Sequence, residues 1–287
     1  MKRSIVVGKV SKRTASILYM KEHQSLFSCP ICKNSMNVIE DGHVVCEKNH
    51  SFDIAKQGYV NFMIKPSPSM YSKSLFESRQ EILTSGLYDP IQKAIAKYIG
   101  KDARTILDTG CGEGSHLESI CSLIDQQVVA VGIDISKEGI QAAAKYYENK
   151  IWCVGDLANS PYQQHTFDII LNILSPANYE EFSRLLTSNG KVIKVVPQSD
   201  YLKELRKEAF ANSEKENYSN EQTVERFKEH FVNVKQERVT YTEKLEQHLV
   251  PKLLEMTPLG WHLQKEVSLN EITIDLEILV GEFCKEN

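Results

Sequence analysis

Several features that would narrow the class of this chain at once are missing. No apolar run within its 287 residues approaches the roughly 20 needed to cross a membrane. The basic stretch from Met1 to Gln24 has no continuous apolar core followed by a small-residue cleavage site, so it does not read as a signal peptide. An even, paired set of cysteines is lacking as well. There are seven: Cys29, Cys32 and Cys46 stand close together, whereas Cys111, Cys121, Cys153 and Cys284 are scattered through apolar or glycine-rich surroundings. That excludes the disulfide framework of a small secreted domain and fits a reduced, cytoplasmic protein with one metal site. Charge of one sign is not in large excess either, with a net −4. Residues 1–65 nevertheless carry +5 and residues 66–287 carry −9, a basic front end on an acidic body. Such a front end suits a polyanion.

What is present begins with Cys29-Pro30-Ile31-Cys32, followed by Cys46 and then His50. Zinc takes four ligands in a tetrahedron from thiolate sulfur and imidazole nitrogen. Two cysteines separated by two residues form a tight turn that aims both sulfurs at one ion, and Pro30 stiffens it. Between the halves, residues 36–39, the turn Glu40-Asp41-Gly42 and residues 43–46 read as a short hairpin. His43 is a rival ligand but lies on the hairpin strand, so His50 is favoured. With all four positions filled by protein, the expected zinc is structural, and it supplies folding energy to a module with little core. Phe52, Tyr59 and Phe62, with Lys56 nearby, are either base-stacking residues or that module's missing core.

Residues 64–75 are rich in proline and serine and read as a linker or irregular loop, one that orders over the active site when substrate binds. Helical pattern resumes at 76–84 and 90–99. The chain then alternates strand and helix, with strands at 105–109, 128–135, 151–155, 167–174 and 191–196 and helices at 115–123, 137–147 and 178–186. Further helices are expected at 201–211 and 221–229, a strand near 231–241, and short helical pieces at 244–249 and 251–255, split at Pro251. A last strand falls within 271–283 and closes the sheet as a hairpin. The pattern predicts an α/β, Rossmann-like fold with a seven-stranded sheet, preceded by a small zinc-binding domain. The expected division is a basic extension at 1–27, a zinc-binding module at 28–63, a linker at 64–80 and the α/β domain at 81–287.

The first of these strands runs into Asp108-Thr109-Gly110-Cys111-Gly112-Glu113-Gly114. Glycines there let a cofactor approach the backbone, but the spacing is not the Gly-x-Gly-x-x-Gly of dinucleotide folds. A pyrophosphate would be repelled by Asp108 and Glu113. S-adenosylmethionine carries a sulfonium and an ammonium and no phosphate, so acidic residues suit it. Asp134 ends the second strand, 24 residues after Gly110, where a carboxylate accepts hydrogen bonds from ribose hydroxyls. Asp156 ends the third, where the adenine edge would be read. After the fourth strand comes Asn172-Ile173-Leu174-Ser175-Pro176-Ala177-Asn178, without the Asp/Asn-Pro-Pro-aromatic motif common among enzymes that methylate exocyclic amines. A ring nitrogen, oxygen or carbon stays open as the acceptor. Cys111 and Cys153 read as structural.

Taken together these motifs resemble the RlmA family of guanine-N1 methyltransferases acting on 23S ribosomal RNA, including the Gram-positive, tylosin-resistance type. The resemblance rests on Ser28 to Cys32, on Cys46 and the run from His50 to Asn61, on Asp108 to Gly114, on Gly132-Ile133-Asp134-Ile135-Ser136-Lys137, and on Met256-Thr257-Pro258-Leu259-Gly260-Trp261. The run from His50 to Asn61 is the most specific part. By this resemblance Cys29, Cys32, Cys46 and His50 hold zinc. Tyr88, Ser115, His116 and Leu202 would touch the cofactor beside Asp108, Gly110, Gly112, Gly114, Asp134 and Asp156. Thr109 departs from a usual Ile, and Ser115-His116 from usual aromatics. The family acts on one of two nearby guanines in an RNA hairpin near the ribosomal exit tunnel, and some members confer macrolide resistance. The partners implied are that hairpin, no membrane, and a second copy in a homodimer. Guanine N1 carries a proton that a base or water must remove as the methyl arrives, and no residue stands out as that base. Two rival readings are a non-catalytic zinc- and RNA-binding assembly protein, and a methyltransferase for another RNA, a protein or a small molecule.

Overall fold

The structure is a computed structural model that describes residues 10–65, 71–210, 218–263 and 267–283. Cys284, residues 1–9 and residues 66–70 of the expected linker, including any ordering over the site, lie outside them.

The N-terminal part opens with helix α1 (Lys12–Glu22), started by the Ser11 side chain, which accepts from the Thr14 amide. Strands β1 (Met36–Ile39), β2 (His43–Cys46) and β3 (Ser51–Asp53) form a three-stranded antiparallel sheet, the expected hairpin plus one strand. Met36, Val38, Val44 and Cys46 turn inward by the two-residue alternation of strands. The two-residue strand β4 (Val60–Asn61) then leaves this sheet for the larger one.

The larger part begins with α2 (Lys73–Thr84) and α3 (Asp89–Ala96). Helix α2 starts three residues before the sequence pattern implies, because the Ser72 hydroxyl caps it by accepting from the Leu75 amide. There follow β5 (Thr105–Thr109), α4 (Ser115–Ser122), β6 (Val129–Asp134), α5 (Lys137–Tyr146), β7 (Ile151–Val154), β8 (Phe167–Ile173), α6 (Tyr179–Leu185) and β9 (Leu186–Pro197). The remainder is α7 (Lys203–Phe210), α8 (Glu221–His230), β10 (Val232–Lys244), α9 (Val250–Met256) and β11 (Glu271–Glu282). Pro251 sits in the first turn of α9, where its missing N–H has no helical partner to lose.

The sheet order is β10-β11-β9-β8-β5-β6-β7-β4. Strands β5 to β9 pair in parallel, and their runs, such as Ile-Trp-Cys-Val in β7, are buried on both faces. Strands β10 and β11 form the closing antiparallel hairpin. The seven strands expected are present, but the sheet has eight. The added strand is β4, whose Val60 and Asn61 pair in parallel with Cys153 and Val154. Edge strand β7 leaves a row of unpaired backbone groups, and β4 covers them. The ladder continues with the Phe62 amide donating to the Val154 carbonyl.

Phe62 and Tyr59 are buried, and Phe62 packs 5.7 Å from Phe27 and 5.0 Å from Phe52. These aromatics are core, not base-stacking platforms. Because β5 lies between β6 and β8, the chain reverses its winding there and opens a crevice at the carboxyl ends of those strands. No helix among the described residues is long and apolar enough to cross a membrane.

Candidate functional site

Cys29, Cys32, Cys46 and His50 converge, with all four ligand atoms within 4.8 Å of one another. Cys32 Sγ lies 3.6 Å from Cys46 Sγ, and His50 Nδ1 lies 3.4 Å from Cys46 Sγ and 3.5 Å from Cys29 Sγ. With zinc–sulfur bonds of about 2.3 Å, a tetrahedral edge is about 3.8 Å, so the donor set fits one zinc ion. Each ligand turn is closed by a residue in the left-handed region, Lys33 at φ 63 and Asn49 at φ 60. His43 is engaged elsewhere, 2.7 Å from Asp53. The first turn is stitched to the segment after β7: the Ser28 amide donates to the Pro161 carbonyl, and the Asn159 side-chain amide to the Pro30 carbonyl.

The crevice holds a cavity of about 420 Å³ lined by Gly110, Gly112, Asp134 and Asp156, together with Phe76, Arg79, Ser175 and Trp261. Gly110 has φ +71, and any Cβ there would collide with the Ser175 hydroxyl. Gly112, at φ +57, turns its amide onto Asp134 Oδ2 at 2.8 Å, while Asp134 Oδ1 accepts from the Ser136 amide at 2.7 Å. Asp156 Oδ1 accepts from the Ala158 amide at 2.9 Å.

The other expected contacts do not line this cavity. Asp108 is buried beneath the loop. Ser115 bonds to the Tyr147 hydroxyl at 2.9 Å. His116 is buried, accepts at Nδ1 from Gln92, and is pushed down to about 3 by burial, with Arg79 adding to it, so it is neutral. Tyr88 is buried with its hydroxyl 2.7 Å from that of Tyr201, and Leu202 is buried at φ 52 with its amide donating to the Thr273 carbonyl. Gly114 stands in the left-handed region and caps α4.

Arg79 is the residue that motif reading misses. Its Nε lies 2.7 Å from Glu113 Oε2, and the Glu113 side chain is fully buried. A signal existed: α2 buries Leu75, Phe76, Ser78, Ile82 and Leu83, and Arg79 interrupts that apolar face. Asp108, Glu113 and Asp134 thus gather three carboxylates against one guanidinium. Burial, with Asp134 and Glu113 adding to it and Arg79 opposing, pushes Asp108 up to about 7. A cation arriving in the cavity favours its ionised form.

Cofactor affinity is therefore expected to rise by up to about tenfold between pH 6 and pH 7.5, with proton release on binding. Titration calorimetry across that range checks it, and Asp108→Asn should flatten the dependence. For the ligand-free protein the sign is opposite. A carboxyl raised from 3.8 to about 7 binds a proton in the folded state that the unfolded chain has lost. Its contribution to stability therefore falls as pH rises through that window.

A second cavity, of about 630 Å³, adjoins the first. Both share Arg79, Leu174, Ser175, Pro176, Met256 and Pro258. Beyond those shared residues it is lined by Tyr179, Lys194, Tyr201, Tyr218 and Arg226, with Arg226 over the Tyr179 ring at 5.8 Å. One cavity is thus acidic in its surroundings and the other cationic and aromatic, and they meet at 174–176.

Two family models match the chain. Residues 27–66 match the RlmA N-terminal zinc ribbon, and residues 100–254 match a methyltransferase domain. A putative 23S rRNA (guanine-N1)-methyltransferase, YxjB of Bacillus subtilis strain 168, is 42% identical over 273 residues, covering 90% of this chain and 97% of that protein. The 23S rRNA (guanine(748)-N1)-methyltransferase of Streptomyces fradiae is 28% identical over 241 residues, covering 82% and 85%. Among solved structures, the complex of the Haloferax volcanii Trm112 methyltransferase activator with a putative methyltransferase superposes with a TM-score of 0.50. It is 16% identical and covers 75% of this chain and 99% of that one, a likeness of fold.

Proposed function

Because the chain belongs to the RlmA family of methyltransferases, we propose that it transfers a methyl group from S-adenosylmethionine to N1 of a guanine in 23S ribosomal RNA. The observation that carries this is the pair of cavities meeting at Ser175. The one beside Asp108, Glu113 and Asp134 suits a cofactor with a sulfonium and an ammonium, and the one with Lys194, Arg226 and three tyrosines suits a nucleobase on a phosphate backbone. S-adenosylmethionine, when bound, supplies an electrophilic methyl on sulfur. Asp134 and Asp156 would hold its ribose and adenine ends, and the loop from Gly110 to Gly114 would lie along it.

The chain's own work is then mostly alignment, holding the base in line with the methyl across Leu174–Pro176. A paired guanine would have to be unstacked to enter, and an RNA hairpin supplies bases that unstack at low cost. Structural zinc on Cys29, Cys32, Cys46 and His50 would keep residues 28–63 folded as an RNA-recognition module ahead of the methyltransferase domain. Of the linker expected at 64–80, the part from Lys73 onward belongs to helix α2, so the domain would begin there rather than at 81. The site of action would be the cytoplasm, where ribosomal RNA is found in bacteria. A homodimer would show as two copies per RNA.

The test is incubation with radiolabelled cofactor and undermodified ribosomal RNA, with mapping by reverse-transcription stops. A methyl on N1 blocks Watson–Crick pairing, so one stop at a hairpin guanine is expected. Label without a stop would locate the methyl off the pairing edge and overturn the N1 assignment. Cofactor binding with no label would favour the non-catalytic assembly reading.

A further inference from the structure

The guanine base leaves one chemical problem unassigned. Its N1 holds a proton, and when that proton leaves, negative charge spreads onto the neighbouring carbonyl oxygen O6. A preorganised cation at O6 lowers that barrier. Lys194 is a buried cation of the second cavity, bonded to Ser175 where the two cavities meet. It lies on β9, opposite Asn172 of β8, and is only 4% exposed, yet it lines the second cavity. Its Nζ donates to the Asn172 side-chain oxygen and, at 3.0 Å, to the Ser175 carbonyl. Those two acceptors leave one N–H of three. Both acceptors are neutral, and Lys194 makes no ion pair among the described residues.

The other charged groups of that cavity are otherwise engaged. Arg79 faces Glu113, and Arg226 lies over the Tyr179 ring. The tyrosines there are Tyr179, Tyr201 and Tyr218. Asn172 is itself held by bonds to Thr109 and the Pro176 carbonyl, so the lysine's position is tied to the loop that joins the cavities. A buried ammonium with only neutral partners is an unusual expense in a fold unless charge develops beside it.

Resting on the guanine-N1 reading above, we infer that Lys194 is a catalytic residue whose ammonium donates to guanine O6 as the N1 proton leaves. The N1–H bond breaks and its proton passes to water. The N1 electron pair forms the new N–CH₃ bond. The bond between methyl and sulfur breaks, and its pair stays on sulfur as the neutral thioether. Lys194 keeps its proton throughout. Burial lowers its pKa to about 8, so it is mostly charged at neutral pH and loses its charge above that.

The experiment compares wild type, Lys194→Met and Lys194→Arg on unmodified ribosomal RNA, reading kcat, kcat/KM against pH, and equilibrium binding of RNA and of S-adenosylhomocysteine. Lys194→Met is expected to lower kcat by about 100-fold or more while both affinities stay within about threefold. Lys194→Arg should recover at least a tenth of the lost rate. In wild type, kcat/KM should fall above pH about 8, and in Lys194→Arg that fall should move to higher pH. A Lys194→Met enzyme within tenfold of wild type in kcat overturns the inference. So does one whose rate loss is matched by lost RNA or cofactor affinity, since that marks a structural prop for 172–176. If wild type leaves guanine N1 unmethylated, the reading of the substrate fails first and this inference falls with it.

Discussion

Replacing Cys29 and Cys32 together by serine is expected to lower the melting temperature by roughly 10 °C, equivalent to at least about 4 kcal/mol, and to abolish zinc binding at one ion per chain. The size follows from how little the small sheet itself buries. Its three strands contribute only Met36, Val38, Val44 and Cys46 to the interior, and the thiolates and His50 close both ligand turns around one point. The three sulfurs, gathered with His50 within 4.8 Å of one another, repel as thiolates without an ion between them.

The loss should not stay local. The first ligand turn bonds to Asn159 and Pro161, and β4 pairs with β7, so a melted module uncovers the sheet edge next to Gly155 and Asp156. Differential scanning calorimetry with metal analysis checks this. A double variant that melts with wild type would show that the metal is dispensable to the fold.

Asp134→Ala is expected to weaken S-adenosylmethionine binding by about 100-fold, close to 2.7 kcal/mol. Two things go at once. The carboxylate that faces the cavity disappears, and the amides of Gly112 and Ser136 lose the acceptor that holds the glycine loop against β6. Hydrogen bonds to a charged group are each worth about 1.5–3 kcal/mol, so the expectation needs only part of their sum. Burial keeps the Asp134 pKa raised even though the amide bonds from Ser136 and Gly112 pull it down, which marks a site where an arriving cation gains most. Calorimetric titration of the folded variant decides the matter: affinity within twofold of wild type would remove Asp134 from the cofactor site.

Local rules carry far in this chain because much of its chemistry is written at short range. Two cysteines with two residues between them, then a hairpin, then Cys46 and His50, determine a metal site without reference to the rest of the fold. The glycine loop after a buried strand, with acids inside it, determines a cation-accepting turn. The alternation of strand and helix, ending in a hairpin, determines the parallel sheet and its closure. Tertiary structure alone decided what those elements share. That β4 would leave the small sheet for the large one depends on an open edge at β7, which no property of Val60 and Asn61 reveals. That Phe62 would be interior depends on Phe27, 35 residues away in sequence, and Tyr59 is buried in a different core cluster, with its hydroxyl bonded to Gln141 of α5. Asp108 and His116 stand beside the glycine loop in sequence yet turn into the core, whereas Arg79 and Lys194 are remote in sequence and reach the cavities. Spacing along the chain sets which residues share a turn or a face. Which of those faces meets an opening is settled only when distant strands and helices pack, because a cavity belongs to no single segment.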